Sequence, residues 1–159
     1  MNRLKKAIQL REEGKLKASN AVLIDLVKEF PDNAEIQYQC AWSFDVMGEE
    51  RCAIPYYEAA IALGLPEEDL RGAVLGLGST YRTLGEYEKS KEIFRKGMEL
   101  FPADRAIQVF YAMTLYNLKQ FHEAMQLLMI NLIETTGDQN VKQYEKAIRL
   151  YGEDLDRRW

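Results

Sequence analysis

Chemically reactive side chains are scarce in this sequence. Its 159 residues hold two cysteines, Cys40 and Cys52, and one histidine, His122. Two cysteines make no disulfide framework in a chain of this length, and neither has a CxxC partner, so both read as small buried hydrophobes. A lone histidine builds no multi-histidine metal site. At the start of a helical pattern, His122 reads as an exposed residue. GxSxG, HExxH and P-loop signatures are missing. Gly76-Leu77-Gly78 begins a GxGxxG pattern, but Tyr81 occupies the last glycine position, and the run falls mid-helix by periodicity. No catalytic residue, metal or cofactor is expected, although a carboxylate is always available as a general base.

Proline and glycine are also few, at 4 and 10, which excludes a collagen-like or low-complexity chain. The longest strongly apolar run, Leu127 to Ile133, is broken by Asn131, so no membrane span is expected. Met1-Asn2-Arg3-Leu4-Lys5-Lys6 leads into charged residues without an apolar core, so no secretory signal is read and a cytoplasmic location is expected. Lys and Arg number 21 against 25 Asp and Glu, giving a net charge of −4 with no basic stripe. That balance argues against nucleic acid or an anionic membrane as partner. What remains is a chain 47% apolar, long enough to bury a core unaided. No alternating β pattern competes with the helical one.

Gly14, Gly48 and Gly85 each end one apolar helical pattern and precede another, at spacings of 34 and 37 residues. A further step of 34 reaches Lys119, which should make that turn strained or differently shaped. Aligned on these turns, a small residue precedes a bulky one in the first helix: Ala7 and Leu10, Ala41 and Phe44, Gly78 and Tyr81, Ala112 and Leu115. In the second helix Ser19, Ala53, Ser90 and Ala124 precede Leu23, Tyr57, Phe94 and Leu128. Antiparallel helices approach closely where small residues cross, and the bulky ones fill the space between successive pairs. The expected helices are 2–12, 16–30, 34–47, 50–63, 67–84, 87–100, 104–117 and 121–135. Three extra residues near Gly64-Leu65-Pro66 account for the longer spacing, and Pro66 with Glu67, Glu68 and Asp69 reads as a helix start.

This repeat resembles the tetratricopeptide-repeat family. The third unit shows it best, with Leu77-Gly78-x-x-Tyr81, Gly85-x-Tyr87, Ser90, Phe94, Gly97 and Pro102. The family's leading tryptophan is replaced by Arg3, Gln37, Val74 and Gln108. The resemblance implies an all-α solenoid of four helix-turn-helix repeats, about 1–33, 34–70, 71–104 and 105–136, with 137–159 as capping helix and tail. Val141, Tyr144, Ala147, Ile148, Tyr151 and Leu155 form the apolar face expected of that cap, opposite Lys142, Glu145, Lys146 and Arg149.

The resemblance also implies that a peptide or protein segment binds a concave groove lined by the first helix of each pair. Carried over by position, that groove holds Leu4, Ile8, Arg11 and Glu12; Tyr38, Gln39, Trp42 and Asp45; Leu75, Gly76, Ser79 and Arg82; and Val109, Phe110, Met113, Tyr116 and Asn117. Aromatic residues with arginine are typical of binding hot spots, whereas a solvated face would be Lys, Glu and Gln. Chaperone-tail binding is not expected, because Leu4, Ile8, Gln39, Gly72 and Gly76 stand where the family's carboxylate clamp needs cations. The second helix of the fourth unit carries Met125, Met129, Ile130 and Ile133 where the third has charges, so the capping helix, the tail or a second copy must cover it. The expected function is a non-enzymatic protein-binding module. The alternatives are a homodimeric scaffold through the fourth unit and, less favoured, a small-ligand-binding regulator.

Overall fold

The computed structural model describes residues 2–159, and among them every regular element is a helix. In order these are α1 (Asn2–Glu12), α2 (Leu16–Glu29), α3 (Ala34–Asp45), α4 (Glu50–Leu63), α5 (Glu67–Thr83), α6 (Tyr87–Leu100), α7 (Arg105–Asn117), α8 (Phe121–Thr135), α9 (Gln139–Gln143) and α10 (Glu145–Glu153). Helices α1 to α8 begin and end within two residues of the positions expected from sequence.

The four pair-closing turns share one conformation. Gly14, Gly48 and Gly85 have φ of 75°, 75° and 78°. The following N–H returns to a carbonyl five residues back: Lys15 to Leu10, Glu49 to Phe44, Glu86 to Tyr81. Lys119 keeps this shape at φ 62°, with Gln120 N–H on the Leu115 carbonyl. The last turn is therefore strained and not reshaped, because a side chain stands where L residues meet their own carbonyl. The three extra residues lengthen a helix instead of swelling a loop. Gly64 ends α4 at φ 91°, Pro66 sits at the N-cap of α5, and α5 runs 17 residues against 12 in α3 and 13 in α7.

Within each pair the small residues are buried at the crossing. Ser19 Oγ donates to the Ala7 carbonyl and Ser90 Oγ to the Gly78 carbonyl, both at 2.7 Å, so a hydroxyl sits at the contact without an unmet hydrogen bond. The missing tryptophans have a local replacement. Gln37 Nε2 donates to the Pro31 carbonyl at 2.7 Å and Gln108 Nε2 to the Pro102 carbonyl at 2.8 Å, tying α3 and α7 to the preceding loops. Asn33 and Asp104 cap the same two helices.

The chain divides within α6 into two compact units, residues 1–93 and 94–159. The first is built on Leu4, Ala7, Leu23, Leu26, Ile36 and Cys40, and on Tyr38, Ala41, Ala53, Tyr57, Ala60, Ala73, Leu77 and Tyr81. The second is built on Ala112, Leu115 and Ala124.

Four expectations need correction. Leu128, expected to fill space between helix pairs as Leu23, Tyr57 and Phe94 do, is exposed, because α10 lies on another side of α8. Cys52 is exposed, because it falls on the outer side of α4 one residue before the buried Ala53; Cys40 is buried. His122 is half-buried in the first turn of α8. The capping helix is two helices, broken at Tyr144 (φ −97°, ψ 11°). The break rotates its apolar stripe, leaving Tyr144 and Tyr151 exposed while Ile148 and Gly152 turn toward α8. Pro55 lies inside α4 without disturbing its bounds; its ring and the Arg51 turn it would bond are both exposed.

Candidate functional site

In the first unit, α1, α3, α4 and α5 bring together one layered cluster. Trp42, at the solvent-facing side of α3, is 40% exposed. The guanidinium carbon of Arg11, from α1, lies 3.9 Å from the Trp42 ring centroid, and the Tyr38 ring stacks with the indole at 6.0 Å. Arg11 Nη2 donates to Gln39 Oε1 at 2.7 Å. Beneath them the Tyr57 hydroxyl donates to Asp45 Oδ2 at 2.9 Å, and the Tyr57 ring is 6.3 Å from that of Tyr38.

Two glycines of α5 make room for this layer. A Cβ at Gly72 would collide with the Tyr38 hydroxyl oxygen, and one at Gly76 with that of Tyr57. Two glycines four residues apart in one helix cost about 1 kcal/mol each in propensity. Such a pair signals close approach by a neighbour, and it is the sequence signal for Tyr57 joining the cluster.

Burial sets the electrostatics. It lowers the pKa of Arg11 and raises those of Tyr38 and Tyr57. It also raises that of Asp45, against the opposing hydrogen bond from Tyr57 and with help from the nearby Glu50 charge. The other expected residues of this unit are less accessible. Tyr38, Gln39 and Leu4 are buried; Ile8, Asp45, Leu75, Gly76, Ser79 and Arg82 are half-buried; Glu12 is exposed.

In the second unit α7 buries Ile107, Ala112, Thr114 and Leu115 and presents the rest of its expected residues outward to differing degrees. Val109, Phe110 and Asn117 are half-buried, with Phe110 tilted against Phe94 at 6.4 Å. Met113 and Tyr116 are exposed, and Tyr116 meets Phe121 edge-on at 5.2 Å. Helix α10 lies on α8 over Met129, Ile130 and Ile133, enclosing with Ile148 and Gly152 a half-open cavity of about 150 Å³. Arg149 of α10 reaches Glu134 of α8 at 3.5 Å and pairs within its own helix with Glu145 at 3.0 Å. Met125 stays exposed, as do Leu128 and Leu132; in the tail Arg157 lies over the Trp159 ring, which meets Tyr151 of α10 edge-on at 6.4 Å.

Among the described residues no cluster of three or more His, Cys, Asp or Glu could hold a metal ion, and no helix is long and apolar enough to cross a membrane.

Comparison with known proteins places this arrangement. The family model described as "Tetratrico peptide repeat" matches residues 34–155. Superkiller protein 3 of Saccharomyces cerevisiae is 28% identical over an alignment of 118 residues, and the match covers 70% of this chain and only 8% of that protein. The structure of YrrB, described as a TPR protein with an unusual peptide-binding site, aligns with a TM-score of 0.75 at 16% identity, covering 98% of this chain and 79% of that one. MamA from Desulfovibrio magneticus RS-1 aligns with a TM-score of 0.75 at 11% identity, covering 97% and 88%. Identities this low speak for the fold alone. The family match spans most of the sequence and agrees with the four repeated left-handed turns and small-residue crossings: the chain belongs to the tetratricopeptide-repeat family.

Proposed function

We propose that this chain is a non-enzymatic protein-interaction module, and that the α1–α3–α5 side of its first unit receives a peptide or protein segment with Trp42 as the anchor. The family supports protein interaction in general; the finer reading rests on the exposed Trp42 ring held by Arg11 and Tyr38. A large aromatic held at fixed orientation offers apolar area at little entropic cost to binding. Burying what is exposed of such a ring contributes on the order of 2 kcal/mol or more. The unusual peptide-binding site described for YrrB favours the same use of this fold. On α7, Met113 and Tyr116 are the accessible members of the second strip, with Val109, Phe110 and Asn117 behind them. Selecting a displayed random-peptide library on the intact chain should recover ligands that Trp42→Ala no longer holds. Ligands indifferent to Trp42→Ala would refute the anchor.

A second reading has its own observation. Helix α10 leaves Met125, Leu128 and Leu132 of α8 exposed, an apolar set suited to a homodimeric scaffold. Sedimentation equilibrium decides it: a dimer dispersed by Met125→Lys supports this reading, and a monomer at all concentrations removes it.

A further inference from the structure

Arg11 is a half-buried cation whose contacts among the described residues are neutral. Its guanidinium stacks on Trp42, its Nη2 donates to the Gln39 side-chain oxygen, and its Nη1 is buried without an acceptor. No carboxylate of the described residues lies within ion-pair distance of it, whereas Arg3, Arg71, Arg95 and Arg149 each pair with a glutamate. Asp45, on the same side, is engaged by the Tyr57 hydroxyl instead.

We propose that the segment received on this side carries an Asp or Glu side chain next to the apolar group that lies against Trp42, with Arg11 as its counter-charge. This rests on the peptide-binding reading above and names the ligand's chemistry. A neutral peptide laid over Trp42 would strip the remaining water from Arg11 and leave a buried, unpaired cation, which is strongly unfavourable. An acidic side chain removes that penalty and offers oxygens to the guanidinium fork once it turns on the ring face to free its inner donor. The same penalty rejects neutral competitors, so the site gains selectivity by what it repels. A side chain fits better than a chain terminus, because a terminal carboxylate held by several cations has no such set here: Gln39 is neutral, and Gly72 and Gly76 stand on α5.

The test uses a random-peptide library fused at its C-terminus to the display protein, so that only side chains supply carboxylates. Clones that depend on Trp42 should be enriched in Asp or Glu beside an aromatic or aliphatic residue. As amidated synthetic peptides, their Glu→Gln forms should bind about tenfold more weakly or worse. Arg11→Gln should abolish that difference, and selection on Arg11→Glu should turn toward Lys and Arg. Arg11→Lys, which keeps the charge, should retain the acidic preference and so controls for folding. Trp42-dependent clones without acidic bias, or a Glu→Gln loss that persists on Arg11→Gln, would overturn the proposal while leaving the anchor intact. Clones independent of Trp42, or none at all, would overturn both.

Discussion

Lys119 shows how much a single backbone angle carries. At φ 62° it occupies the place that glycine holds in the other three turns. Lys119→Gly should raise stability by about 0.5–1 kcal/mol in urea denaturation, the relief of strain being partly offset by a more flexible unfolded chain. No gain would mean the turn relaxes in solution. At Gly76 the opposite holds. An added methyl meets the Tyr57 ring, which Asp45 fixes, so Gly76→Ala should cost about 1–3 kcal/mol. Asp45 ends α3, where the helix dipole also opposes its charge. Its folded pKa is raised, so its contribution to stability is fully present below the unfolded value and is lost as pH rises through the folded one. Asp45→Asn should therefore stabilise the protein near neutrality and lose that advantage in acid; an equal difference at both extremes would contradict it. The cysteines separate cleanly. Burial pushes the Cys40 thiol up to about 12, while Cys52 is exposed, so iodoacetamide at about pH 8 should add to Cys52 alone in a mass spectrum.

Elements are legible in proportion to how local their causes are. A left-handed turn favours glycine, and a helix start favours Pro66 followed by acids, so those bounds can be read from the residues themselves. The break at Tyr144 has no such marker. It follows from how α10 lies on α8, which no local pattern records: Ile148 of the expected face meets α8 beside Gly152, while Tyr144 and Tyr151 of that face stay exposed. The same holds for Arg11 on Trp42, 31 positions apart, whereas the contact of Tyr57 with Gly76, 19 positions apart, is marked on the glycine side alone. Capping is testable at this scale. Removing residues 138–159 uncovers Met129, Ile130 and Ile133. The truncated chain should associate more strongly than the full chain in light scattering, and equal behaviour of both would show that α10 shields nothing. Gly152→Ala should be tolerated, since its methyl would meet only the flexible end of Met129, with Cε at 3.6 Å.

For the whole molecule the sequence indicates a kind of action and not a ligand. Repeat proteins reuse their buried small residues and turns, so family membership is written in the residues that hold the helices together. The surface left over is where one member differs from another, and here that is an aromatic ring with an unpaired cation stacked on it. The most direct test is nuclear magnetic resonance of the chain with a library-selected peptide. The indole N–H of Trp42 and the side-chain Nε–H of Arg11 should shift on binding while the indole of Trp159 stays in place. Shifts confined to α8 and α10, with Trp42 unmoved, would contradict the account.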